Sequence, residues 1–283
     1  TVEIGYLPSD HDAALFVADA QKKFDEKNIK TELVQFNNGG DLMTAMASGD
    51  IDVGYAGITP VMSSISQGVP VKVVSGAQVE GSSIVANKNS GINTIADLKG
   101  KTVATPGEAT IQNMLLTSAL TDAGVSTSDV EFTTMKAAQM TDALKAGQVD
   151  AMIIWEPYAS IAVKNGDGKL VETSGEIIPG HPCCCVVARE DFINNHPEEL
   201  KKVLAAHENA TAFTNENPAE AAKCLPEDIV PDQELQAGVI KDTTFISGLD
   251  SSYKQNVMDF MNLEVKLGLL QKPLTQDQIF ADL

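Results

Sequence analysis

Four histidines, four cysteines and one tryptophan are the side chains of this sequence best suited to chemistry, and their spacing limits what they can do. His181-Pro182-Cys183-Cys184-Cys185 sets an imidazole beside three thiols, the donor types of a thiophilic metal or a redox centre. Successive residues of a strand point to opposite faces, so Cys183 and Cys185 share a side, and a mononuclear site needs His181 or a remote ligand such as His11 to complete it. The competing reading is three small hydrophobes buried in a strand. No C-x-x-C or H-E-x-x-H pattern supports a metal, no G-x-S-x-G marks a nucleophile, and His11, His181, His196 and His207 lack the company of a triad. The sequence is therefore read as a binder and not an enzyme, with no catalytic residue, cofactor or metal.

Polar loops are the better candidates. They are Pro8-Ser9-Asp10-His11, Asn37-Asn38-Gly39-Gly40, Gly57-Ile58-Thr59, Gly76-Ala77, Pro106-Gly107-Glu108-Ala109-Thr110 and Trp155-Glu156. Backbone NH groups, hydroxyls and amides of this kind grip a small polar or anionic group without arginine. The indole of Trp155 can enclose an apolar moiety, while Glu156 can cap a helix or accept from an amine. Asp10, Asp12, Glu108 and Glu156, if turned inward, favour a ligand that carries an amine. Each residue taken alone also reads as an ordinary turn or cap, and the set matters only if the fold gathers it.

An internal repeat predicts that it does. Ala45, Gly49 and Asp52 recur as Ala143, Gly147 and Asp150, each 98 residues on, and Pro60 recurs as Pro157. Each copy reads strand, helix, strand, helix, strand, helix, the first from Val2 to a helix that starts at Thr59-Pro60 and the second from Lys101 to a helix from Pro157 onward. Thr59 is expected as the N-cap of a helix that begins at Pro60. Alternating strands and helices imply mostly parallel sheets covered on both faces, and ligands of such sheets lie beyond the carboxyl ends of the strands, where the loops above fall. Segments 83–88 and 182–189 are read as the crossings between two α/β lobes, and the chain after residue 191 as a helical tail. Lobe one is residues 1–90 plus 187–283, lobe two is 91–186, and a cleft lies between.

Twenty basic against 39 acidic side chains leave a net charge of −19, with Arg189 the single arginine. That charge excludes nucleic acid and anionic membrane surfaces as partners. No apolar run is long enough to span a bilayer.

With these parts placed, the sequence resembles the extracytoplasmic solute-binding proteins of ABC importers, in the nitrate, sulfonate and taurine group. The resemblance rests on the opening GYLPSDHDAALFVA, the paired A-x-x-x-G-x-x-D segments ending in proline, IADLKGK at residues 95–101, WEPY at 155–158 and HPCCCVVARED at 181–191. It implies a type II periplasmic binding protein, two Rossmann-like lobes on two hinge crossings, that closes on its ligand. It also implies docking on an ABC permease with its ATPase, a monomeric state, and an extracytoplasmic site, periplasmic or tethered at the cell surface through a signal and lipoprotein anchor. The matching ligand loops map onto Ser9, Asp10, His11, Asn38, Gly39, Gly40, Ile58, Thr59, Gly107, Glu108, Ala109, Thr110, Trp155 and Glu156. The implied cargo is a small sulfonate-like or taurine-like anion or zwitterion. The alternatives are a thiamine-pyrimidine precursor or other neutral or cationic solute, or a thiamine-pyrimidine synthase. Those enzymes carry CCCFC, and here only the three cysteines of Cys183-Cys184-Cys185-Val186-Val187 match.

Overall fold

Short β-branched and small-residue runs supply the strands, and the computed structural model describes residues 1–229 and 232–283. The first sheet contains β1 (Val2–Tyr6), β2 (Thr31–Gln35), β3 (Val53–Gly57) and β4 (Val71–Gly76). A short β5 (Gln78–Val79) follows, and the second sheet contains β6 (Ser82–Asn87), β7 (Thr102–Thr105), β8 (Glu131–Thr134), β9 (Ala151–Trp155) and β10 (Gly168–Thr173). The chain then returns as β11 (Cys184–Arg189), and β12 (Thr244–Phe245) pairs with β5.

Strand order is β2-β1-β3-β11-β4 in one sheet and β8-β7-β9-β6-β10 in the other, so the repeat seen in the sequence is a repeat of topology. It runs further than the aligned motifs, since β4 and β10 also correspond, 97 residues apart. The repeated aspartates hold one structural job each. Asp52 Oδ2 accepts from the Glu3 amide and Asp150 Oδ2 from the Thr102 amide, both at 2.9 Å, securing the start of the neighbouring strand.

Residues 82–87 and 184–189, read from the sequence as crossing strands, do form strands. Each is an inner strand, antiparallel to its neighbours, and each sits in the sheet built mainly by the other half of the chain. The reason is a pairing demand: an inner slot satisfies backbone donors and acceptors on both sides, which a bare linker would leave to solvent. The second sheet therefore begins at Ser82, and the first recovers its last inner strand at Cys184.

The expected helices of the tail form at Pro197–Glu216, Pro218–Ala222, Gln233–Asp242, Ser251–Lys266 and Gln276–Ile279. One helix starts early. Ile58–Ser66 has Gly57 as its N-cap, which puts Thr59 and Pro60 inside the first turn and frees the Thr59 hydroxyl for a distant partner.

Arg189 closes the far end of β11. Its guanidinium donates to Asp52 at 2.5 Å, to Asp191 at 2.5 Å and, through Nε, to the Ile51 carbonyl at 2.9 Å. It ties the sheet together and does not reach the loops at the other end. Arg189→Ala is expected to cost about 2 kcal/mol in chemical denaturation, by loss of charge-assisted hydrogen bonds, with solute affinity unchanged. A large fall in affinity at unchanged stability would assign the arginine to the cleft instead.

Candidate functional site

The carboxyl ends of the two sheets face each other, and side chains from both meet there. Leu7 ends the first strand region, and Ser9 caps a single turn over Asp10–Asp12 by accepting from the His11 amide at 3.1 Å. Ser9, Asp10, His11 and Asp12 are all buried, although each is polar. Across the cleft, the Ser9 hydroxyl donates to the Glu156 carbonyl at 2.8 Å, Trp155 Nε1 donates to the Pro8 carbonyl at 3.3 Å, and Asn38 Nδ2 donates to the Pro106 carbonyl at 3.2 Å. These three bonds draw the two sheets together. The space left between Ser9, His11, Asp12, Gly39, Thr110 and Trp155 is about 20 Å³, room for one water.

Two long helix starts converge on the same space. Asn38 caps Gly39–Ala47 by accepting from the Asp41 amide at 2.9 Å, and Thr110 caps Ile111–Asp122 by accepting from the Asn113 amide at 3.2 Å. Their first turns present amides and a partial positive charge, the environment that anions prefer. Against them stand carboxyl oxygens without partners among the described residues: both oxygens of Asp10, Oδ1 of Asp12 and Oε2 of Glu156. Burial pushes Asp10 up to about 7 with His11 acting the other way, and burial pushes Asp12 up to about 8 although the Leu7 amide opposes it. Glu156 is raised by burial too, moderated by Ser160. Together the space offers anion-binding amides on one side and buried carboxyls on the other.

The residues singled out from sequence are dispersed more than expected. Ser9, His11, Gly39, Thr110 and Trp155 line the small space. Asp10 is wholly buried beside it, and Glu156 also faces a wider cleft of about 490 Å³ bounded by Glu80, Ser174, Glu234 and Asp242. Gly40 is half-buried, on the first turn of the Asn38-capped helix, and Gly107 accepts the Thr110 hydroxyl at 2.7 Å as part of that helix start. Ile58 is core, its amide bonded to the Cys183 carbonyl at 2.8 Å. Thr59 donates to Glu264 at 2.5 Å, and with Glu108 and Ala109 it borders a separate hollow near Leu270. Glu108 and Ala109 are exposed.

Sequence reasoning missed Gln112, Cys183 and Cys184 as neighbours of this space, while Asp12, weighed there as an acid that could turn inward, lines it. Gln112 Nε2 donates to Ser82 Oγ at 2.9 Å, and both sulfurs approach His11. The alternation argument failed for the cysteines because Cys183 precedes the ladder, so Cys183 and Cys184 turn the same way. His181, offered as their partner, bonds the Pro182 carbonyl at 2.8 Å and stacks on Phe260.

A family model described as the NMT1-like family matches residues 1–225. A taurine-binding periplasmic protein of Escherichia coli (strain K12) is 29% identical over 242 residues, covering 82% of this chain and 74% of that protein. A Bacillus subtilis (strain 168) protein named for binding aliphatic sulfonates is 28% identical over 222 residues, covering 78% of this chain and 66% of its own length. A more distant relative, at 23% over 230 residues (80% of this chain, 72% of its own length), is the 4-amino-5-hydroxymethyl-2-methylpyrimidine phosphate synthase of Legionella pneumophila subsp. pneumophila (strain Philadelphia 1). Among solved structures, the alkanesulfonate-binding protein SsuA from Xanthomonas axonopodis pv. citri superposes with a TM-score of 0.85 at 21% identity, over 100% of this chain and 98% of that one. That likeness identifies the fold as the one the sequence reading expected.

Proposed function

The chain belongs to the NMT1-like family, and from that premise we propose that it is the solute-capturing component of an ABC importer, specific for a small aminosulfonate or related organosulfonate. The names of its relatives support the transport class and the sulfonate. The observation that carries the reading is chemical: two capped helix starts, one from each half of the repeat, flank buried carboxyls whose oxygens are not all partnered among the described residues. The helix ends suit a sulfonate, which needs donors and no proton. The carboxyls suit an amine held a few atoms away. Taurine-like zwitterions combine the two groups.

In this reading lobe one is residues 1–76 with 184–283, lobe two is 82–173, and the segments between them are the hinges. A space of about 20 Å³ cannot admit such a solute, so capture requires the lobes to part and the Ser9, Asn38 and Trp155 bonds to break and re-form. The captured solute passes to a permease and its ATPase outside the cytoplasm, and the protein works as a monomer.

Thermal melts with taurine, ethanesulfonate and nitrate test this. A ligand at 100 times its dissociation constant stabilises by about 2.7 kcal/mol, which raises the midpoint by roughly 5 to 10 °C for a chain of this size. Taurine is expected to act at lower concentration than ethanesulfonate, because only it satisfies the carboxyls. Equal potency removes the amine from the reading, and no shift with either sulfonate sinks it.

A further inference from the structure

The capture reading leaves one hollow without a use. It holds about 190 Å³ and borders the first turn of Ile58–Ser66, the end of Ser251–Lys266 and the start of Ile111–Asp122. Thr59, Met114, Glu264 and Leu270 form its buried floor, and Glu108 and Leu269 stand exposed at its rim. At about 30 Å³ for each water, it has the room for a short aliphatic molecule that the space beside Trp155 lacks. Glu264 gives the hollow its chemistry. Its carboxyl is 2% exposed, one oxygen accepts the Thr59 hydroxyl at 2.5 Å, and Thr59 is its one hydrogen-bond partner among the described residues. No lysine, arginine or histidine borders the hollow, and Glu108 adds a second carboxyl at the mouth. A buried carboxylate without a countercharge is costly, and a cation seated beside it removes that cost.

The rest of the lining decides which cation. A bare calcium or magnesium ion asks for a shell of oxygens, and Met114, Leu269 and Leu270 offer none. Those side chains suit a hydrocarbon chain. The Thr59 hydroxyl, which donates to Glu264, keeps lone pairs for an N–H donor. We propose that this hollow is a second binding site, for a small primary alkylammonium ion whose charged end pairs with Glu264 and whose chain lies along Met114, Leu269 and Leu270. On the lobe assignment above, Thr59 and Glu264 belong to lobe one and Met114 to lobe two, so the site is complete only with the lobes together.

The test is titration calorimetry of the full chain with propylammonium chloride, with propanol and potassium chloride as probes of the chain and the charge alone. Propylammonium is expected to bind saturably at pH 8, and neither control is. Glu264→Gln, which keeps the acceptor for Thr59, is expected to weaken binding at least tenfold, and Glu108→Gln at the exposed rim by only about threefold. Glu264 has to release its proton before it pairs. With the carboxyl raised by burial to about 7, wild-type binding at pH 6 is expected to be roughly tenfold weaker than at pH 8, and the slope to vanish in Glu264→Gln. Glu108 is the only other titratable group bordering the hollow among the described residues, and Ile58–Ser66, packed beside Glu264, has none. Methionine-methyl NMR of the wild-type protein is expected to show the Met114 signal move on saturation. Wild-type affinity in Glu264→Gln, equal binding of propanol or potassium, or an unmoved Met114 methyl overturns the proposal. So does a loss of taurine potency in Glu264→Gln, which makes this carboxyl the amine partner of the capture site, whereas unchanged taurine potency keeps the two sites apart.

Discussion

Gly81→Ala protein is expected to melt about 8 °C below wild type and to bind solute at least tenfold more weakly. Gly81 sits where the chain leaves the first sheet for the second, with φ at +94°, a region that side chains rarely adopt. Its carbonyl accepts from His11 Nε2 at 2.8 Å and from the Glu156 amide at 3.0 Å, so one peptide fixes a residue from each side of the cleft. A Cβ built here collides with His11 Nε2 and Gln78 Nε2 and lies 3.0 Å from His11 Cε1. Backbone strain of about 1 to 3 kcal/mol then adds to the displacement of a buried imidazole, for a total near 3 kcal/mol. At roughly 2 to 4 °C per kcal/mol that gives the expected fall. Gly180→Ala separates the two contributions. Gly180 has φ at +69° and nothing within 4 Å of its Cβ, so it carries strain without collision and is expected to cost about 1 kcal/mol, with affinity intact. If both variants melt alike, His11 has room to move and its position is not set by Gly81.

That dependence of His11 on a residue 70 positions away shows why the sequence reveals some of this site and hides the rest. Asn38 and Thr110 were legible as helix starts because each bonds an amide three residues on, a relation contained in a local pattern. The strand–helix repeat was legible for a similar reason: Asp52 and Asp150 do the same job at the same register, so 98 residues separate like from like. The two inner antiparallel strands were legible as crossing strands but their places inside the sheets were not, since the residues that pair with β6 and β11 come from segments far along the chain. Whether Asp10 and Asp12 turn inward was left open by the sequence, because composition prices a carboxylate as exposed and only the packed neighbours remove water from it. The cysteines met His11 across 172 and 173 residues, at a point where the strand had not yet begun and alternation did not apply.

Glu264→Gln is expected to stabilise the protein by about 4 kcal/mol above pH 8 and to leave it unchanged near pH 4. Glu264 lies on the helix Ser251–Lys266, only 2% exposed, and accepts the Thr59 hydroxyl at 2.5 Å. Burial pushes its carboxyl up to about 7, and the single hydrogen bond from Thr59 recovers part of the loss. An unfolded glutamate titrates near 4.3, so between these values the folded state holds a proton that the unfolded state has released. Its contribution to stability is full below about pH 4 and is lost as the pH rises through 7, the sense expected of a raised folded value. The size follows from the displacement, at about 1.4 kcal/mol for each pH unit. Glutamine keeps an acceptor for Thr59 and never ionises, so the difference between variant and wild type isolates this one group from Asp10, Asp12 and every other titration. Denaturant midpoints of both proteins from pH 4 to 9 provide the measurement. A difference that does not grow with pH means that Glu264 stays ionised throughout, and its contact with Thr59 then has to be read as a charged hydrogen bond anchoring the first turn of Ile58–Ser66 to the tail.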